Sequence, residues 1–187
     1  MQVQAQENQL ELLTFSQNWK WRGIDCEYVS EYAKDRVWQG DQFVLQHCQL
    51  YVTGKQCLKI ARLIGKVDVI VTDSPIAIGA MYTDEQPYKD VCIYEAKKYK
   101  RTFNVFIKRH KVYNPNGRNQ TEEEALAIDE QIRQMLKDNC IDYTDVDGTE
   151  EGYDSLVETI KVLVDWCYSN VHWNIFMMFC RVILVQR

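Results

Sequence analysis

Paired cysteines are missing from this 187-residue sequence: its seven cysteines include no C-x-x-C pair and follow no regular spacing. That pattern argues against a secreted disulfide framework. The three histidines lie far in sequence from any paired cysteines, which argues against a zinc site too. Cys26, Cys57, Cys140 and Cys167 each sit among apolar neighbours and read as reduced core residues. Excess positive charge is also lacking. The formal charge is -5, so a nucleic-acid backbone is not expected as the main partner. Residues 1–8 are polar and lack the apolar centre of a signal peptide, so the expected setting is a reducing cytoplasm, where the Asn119-Gln120-Thr121 sequon is idle. A membrane span is not expected either. The apolar stretch 171–185 is too short for a bilayer and is interrupted by Asn174 and Arg181. Three readings of it stay open: a buried element, a membrane-surface segment, or an unnatural end left by a frameshift or truncated gene. With no internal repeat and no linker, one α/β domain is expected over 1–170, followed by the apolar tail 171–187.

What is present alternates between short β-like runs and helical periods, the pattern of a parallel sheet with crossover helices. Strands are expected over 24–29, 67–72, 103–107 and 141–146. The second is the clearest: Val67, Val69, Ile70 and Val71 form a β-branched run closed by Asp73, Ser74 and Pro75. Leu12, Phe15 and Trp19 follow a helical spacing. The stretch 42–64 reads as helical, divided near Gly54, and 88–100 as a further helix. Thr121 and Glu124 fit a capping box ahead of the stripe Ile128, Ile132, Met135 and Leu136. Leu156, Ile160, Leu163 and Cys167 mark a last helix.

Open parallel sheets bind ligands beyond the carboxyl ends of their strands. That rule selects Ser30, Glu31 and Lys34 after the first strand, Asp73 and Ser74 after the second, Lys108 and Arg109 after the third, and Asp147 and Gly148 after the fourth. Carboxylates and cations on one rim suit a metal-bound polyphosphate and its acceptor. Taken singly, Asp73 reads equally as a turn residue or N-cap and Glu31 as a first-turn helix charge. The basic residues Lys97, Lys98, Lys100, Arg101, Lys108, Arg109 and Lys111 read equally as a solvated face.

Three segments, in order, carry a resemblance: Val29-Ser30-Glu31-Tyr32-Ala33-Lys34-Asp35, Val69-Ile70-Val71-Thr72-Asp73-Ser74-Pro75, and R-H-K-V-Y-N-P-N-G-R-N-Q-T-E-E-E-A-L-A-I-D from Arg109 to Asp129. From about Leu10 to Ile160 the chain resembles the NadR-like P-loop ATPase and kinase family, and especially its phage-encoded members. The resemblance implies a three-layer domain using ATP and Mg²⁺ to phosphorylate a nucleoside- or ribosyl-type acceptor, in the host cytoplasm if phage-encoded. It gives Asp73 the role of magnesium ligand or base, and Arg109 and Arg118 that of lid arginines over the transferring phosphates. Glu31, Lys34, Ser74 and Tyr113 would face the acceptor, and Asp147 and Gly148 the adenine.

The family's first strand and its G-x-x-x-x-G-K-[ST] loop have no counterpart here. Gly54-Lys55 has Gln49 and Gln56 at the other motif positions, and Gly65-Lys66 has Ile60 and Val67. In the family that strand is usually central, between the strands corresponding to 67–72 and 103–107. Its loss would leave them about 10 Å apart. Val182-Ile183-Leu184-Val185 is an apolar run suited to the gap. The functional expectation is therefore a degenerate or truncated kinase-like enzyme with weak ATP turnover or none. The alternatives are a non-catalytic nucleotide- or protein-binding remnant of a phage gene, and a membrane- or partner-binding protein built on the tail; a homo-oligomer is possible in any of them.

Overall fold

The computed structural model describes residues 20–21, 23–99, 101–108, 122–170 and 178–183. In chain order these form β1 (Cys26–Val29), α1 (Tyr32–Trp38), α2 (Gln42–His47), α3 (Gln49–Ala61), β2 (Val69–Thr72), a 3₁₀ helix (Ile76–Tyr82) and α4 (Gln86–Lys97). There follow β3 (Thr102–Lys108), α5 (Glu122–Asp138), β4 (Thr144–Asp147), α6 (Glu150–Asn170) and β5 (Met178–Ile183). The five strands make one sheet in the order β1-β2-β5-β3-β4, and every pairing is parallel.

β2 explains the layering. All four of its residues are buried, as a strand covered on both faces requires. Successive side chains point to opposite faces. Val69 and Val71 join Cys26, Val105 and Ile107 against Leu156, Val157, Ile160 and Val164 of α6. Ile70 joins Val29 against Ile60 of α3, Ile76 and Ala77 of the 3₁₀ helix and Ala96 of α4. Phe106, alternating with Val105 and Ile107, meets Ile132 and Leu136 of α5. Helices thus cover both faces of a parallel sheet, the α/β arrangement expected.

The fifth strand lies where the sequence left a gap. β5 pairs with β2 from Val69↔Met178 to Thr72↔Arg181 and with β3 from Thr102↔Phe179 to Phe106↔Ile183. It begins four residues before Val182, and Leu184 and Val185 lie outside the described residues. The stretch expected as an uncertain tail therefore supplies a strand to the middle of the sheet.

Several local expectations need correction. The helical stretch 42–64 divides at Cys48, whose backbone (φ -128°, ψ 42°) leaves the helical region, while Gly54 sits inside α3. It ends at Ala61, before a turn that uses Gly65 at φ 75°. β2 starts at Val69 rather than Val67, β1 at Cys26 rather than Ile24, and β4 at Thr144 rather than Ile141. α1 was foreshadowed only by the reading of Glu31 as a first-turn charge, and Glu31 is its N-cap; the 3₁₀ helix was foreshadowed only by the N-cap reading of Asp73, but its N-cap is Pro75. Cys26 is fully buried, its thiol pushed up to about 12 by that burial, but Cys57 is half-buried and Cys140 exposed. Cys140 follows α5 at φ 50° in a Schellman turn, with Cys140 N–H donating to Lys137 and Ile141 N–H to Leu136. Thr121 of the expected capping box and the Cys167 side chain lie outside the described residues.

Candidate ligand site at the strand carboxyl ends

Because all strands run parallel, their carboxyl ends share one edge. At the β1–β2 end the Tyr28 hydroxyl donates to Asp73 Oδ2 at 2.7 Å. Burial and the neighbouring Asp73 charge hold the Tyr28 phenol far above its usual range, so it stays a donor. The other carboxylate oxygen, Asp73 Oδ1, is buried and has no hydrogen-bond partner. Burial raises the Asp73 pKa; the Tyr28 bond, the Lys34 charge and the backbone N–H groups of Asp73 and Glu31 act against that rise.

A buried polar frame fixes this corner. Thr72 Oγ1 donates to the Val29 carbonyl at 2.8 Å and accepts from the Ser74 N–H at 3.1 Å, which shapes the turn that presents Asp73. Gln56 of α3 donates to Thr72 Oγ1 at 3.3 Å and accepts from the Tyr32 N–H at 2.9 Å, tying the start of α1 to β2. Lys59 reaches the Ser30 carbonyl at 2.8 Å and Asp35 at 3.3 Å. Glu31 occupies the N-cap position of α1 without a side-chain capping bond.

The β3–β4 end forms a second group. Lys108 lies 3.7 Å from Asp147, and the Gly148 N–H donates to the Lys108 carbonyl at 3.0 Å. A Cβ on Gly148 would stand 2.7 Å from that carbonyl oxygen, so the close approach needs glycine. The structure thus gathers Glu31, Lys34, Asp73 and Ser74 on one side of β5, and Asp147 and Gly148 with Lys108 on the other. One strand lane separates the groups, about 10 Å. Arg109, Tyr113 and Arg118 lie outside the described residues.

Sequence reasoning missed Tyr28, Gln56 and Thr72. Gln56 carried a usable signal: it interrupts the buried stripe Val52, Gln56, Ile60 at helical spacing.

Among the described residues no group of three or more His, Cys, Asp or Glu side chains could hold a metal ion. Asp73 supplies one hard oxygen ligand with an unpartnered atom, which fits Mg²⁺ only where water and a ligand's own phosphates complete its shell. A triphosphate fits less well. Gly54 lies within α3 and Gly65 in the turn before β2, so neither Gly-Lys pair follows the carboxyl end of a strand.

The raised Asp73 pKa has a definite sign. The folded protein holds this proton more tightly than the unfolded chain does. Asp73 therefore favours folding below the ordinary carboxylate value of 3.8, and that contribution is lost as the pH rises through the raised folded value. Relative to wild type, Asp73→Asn should gain stability steadily between about pH 4 and pH 7, as the wild-type carboxyl loses the proton that burial favours. Urea unfolding of both proteins across that range measures the difference; a flat difference would contradict it.

Fold and rim together define a helix-flanked α/β protein with a parallel sheet and a polar corner at the strand carboxyl ends. No family model matches the chain, and neither a curated protein nor a solved structure does. Among the described residues no helix is long and apolar enough to cross a membrane.

Proposed function

We propose that this chain is a degenerate member of the P-loop kinase class. Its rim binds a hydroxyl-bearing small molecule of the nucleoside or ribosyl type, and phosphoryl transfer from ATP is weak or lost. The observation that carries the reading is Asp73: a carboxylate fixed by Tyr28 at the end of an inner parallel strand, with one buried oxygen still unpartnered. An unpaired buried acceptor is costly, and such sites are kept where a ligand group completes them. Glu31 and Lys34 stand beside it with charges of both signs, suited to orienting a polyol. Support for the class comes from the three sequence segments and from a strand order in which β5 lies between β2 and β3.

A second reading, a non-catalytic nucleotide- or protein-binding remnant of a phage gene, is favoured by the position of the two Gly-Lys pairs away from any strand's carboxyl end. Calorimetric titration with Mg-ATP and, separately, with adenosine tests both. Adenosine is expected to bind and to weaken about tenfold or more in Asp73→Ala, with ATP hydrolysis at background. Turnover of Mg-ATP that is lost in Arg109→Ala would establish a working kinase. No heat from either compound at millimolar concentration would remove the ligand-site reading.

A further inference from the structure

A second polar cluster stands on the helices that follow β1, outside the Asp73 corner. Tyr32 and Arg36 lie one turn apart on α1, and Tyr51 and Lys55 one turn apart on α3. The tyrosine rings meet edge to face, with centroids 5.9 Å apart at 71°. Tyr32 Oη donates to Tyr51 Oη at 3.2 Å. Each ring carries its own cation: the Arg36 guanidinium is 5.0 Å from the Tyr32 centroid and the Lys55 ammonium 5.3 Å from that of Tyr51.

The cluster has more donors than acceptors. Tyr51 accepts from Tyr32, and its own hydroxyl donates to no group among the described residues. The Tyr51 pKa is lowered, first by the bond from Tyr32 and then by the charges of Lys55 and Arg36, which places both cations within electrostatic reach of that hydroxyl. Lys55 has no carboxylate partner among the described residues. Of the nearby acids, Asp35 faces Lys59 at 3.3 Å, and Asp41 stands 3.8 Å from Arg36 Nη1, so Arg36 is partly balanced and Lys55 is the cation without a carboxylate. Arg36 Nε is buried without an acceptor. Ring–cation stacking explains why the cations lie over the rings, but not why a buried guanidinium N–H is left unpaired.

We infer that Tyr51, Lys55 and Arg36 form an oxyanion subsite, which takes a phosphate or carboxylate group of a small molecule. Two cations and a hydroxyl donor beside a partly apolar surface are the chemistry such a group requires. The subsite uses no residue of the Asp73 corner, so it stands or falls separately from the proposed function.

The test titrates the isotopically labelled full chain with sodium phosphate, replacing sodium chloride at constant ionic strength, and follows the Tyr32 ring resonances. A saturating shift in the millimolar range is expected. It should be weakened at least about tenfold in both Tyr51→Phe and Lys55→Gln and unchanged in Lys137→Gln, which alters an exposed lysine on α5. Tyr51 is exposed and Lys55 half-buried, and circular dichroism and melting curves of both variants check that the fold is retained. An acetate arm names the group: tighter phosphate binding marks phosphate esters, tighter acetate binding marks carboxylates. A linear shift without saturation, or an unchanged affinity in Tyr51→Phe, overturns the inference. An unchanged response in Asp73→Asn shows that the two sites are independent, whatever the outcome with adenosine.

Discussion

Gly152→Ala should destabilise the protein by about 3 kcal/mol or more, among the larger effects of a single methyl group. Gly152 lies in the first turn of α6, and its N–H donates to Thr149 Oγ1 at 3.1 Å. A Cβ there would stand 2.0 Å from the carbonyl oxygen of Asp147 and 3.0 Å from its carbon. Both are backbone atoms of the last residue of β4, which cannot rotate away as a side chain could. Asp147 is held in turn by its pairing with Lys108. To admit the methyl, α6 would have to lift from the strand end, exposing Leu156, Val157 and Ile160. Gly54→Ala is the matched control. Nothing lies within 4 Å of a Cβ at that position inside α3, so the substitution should stabilise the protein by about 0.5–1 kcal/mol. Chemical denaturation of the two variants measures effects of opposite sign. A neutral Gly152→Ala would mean that α6 does not sit against β4 as described.

The same two glycines show what local pattern can and cannot reveal. Gly54 invited a helix break because glycine weakens helices, yet its surroundings are open and the helix runs through it; the break falls at Cys48. The need for glycine at 148 and 152 is a contact between β4, α6 and β3, and no periodicity reports it. β2 was legible because burial on both faces demands an unbroken β-branched run. α5 and α6 were legible because each buries one stripe. In the candidate site, Asp73, Ser74 and Glu31 could be named because they follow strands. Tyr28 could not, since its partner is 45 residues away and a strand tyrosine reads as core. Gln56 was passed over because a polar residue on a helix reads as solvated, although its side chain is buried and bridges α1 and β2.

Cys180→Pro should cost about 3–5 kcal/mol, a large share of the stability of an ordinary domain. Cys180 lies inside β5, opposite Val71 of β2 and Phe103 of β3. In a central strand every backbone N–H faces one neighbour or the other. Proline removes that donor, leaves a buried carbonyl unpaired, and forces its ring into the ladder. The damage should spread because, among the described residues, β5 alone joins the two halves of the sheet: β1 and β2 pair with each other, as do β3 and β4, and the halves meet through β5. Two-stranded fragments are marginal on their own, and α6 would be left spanning an open lane. Cys180→Ala keeps the N–H and serves as the reference, so the difference between the two variants isolates the backbone term. Hydrogen exchange adds a spatial readout. In Cys180→Pro, protection should fall in 69–72 and 102–108 together, the two edges that β5 bridges. A Cys180→Pro protein within about 0.5 kcal/mol of Cys180→Ala would exclude a central β5. It would also withdraw the strand order from the support for the proposed kinase class, leaving that proposal on the three sequence segments.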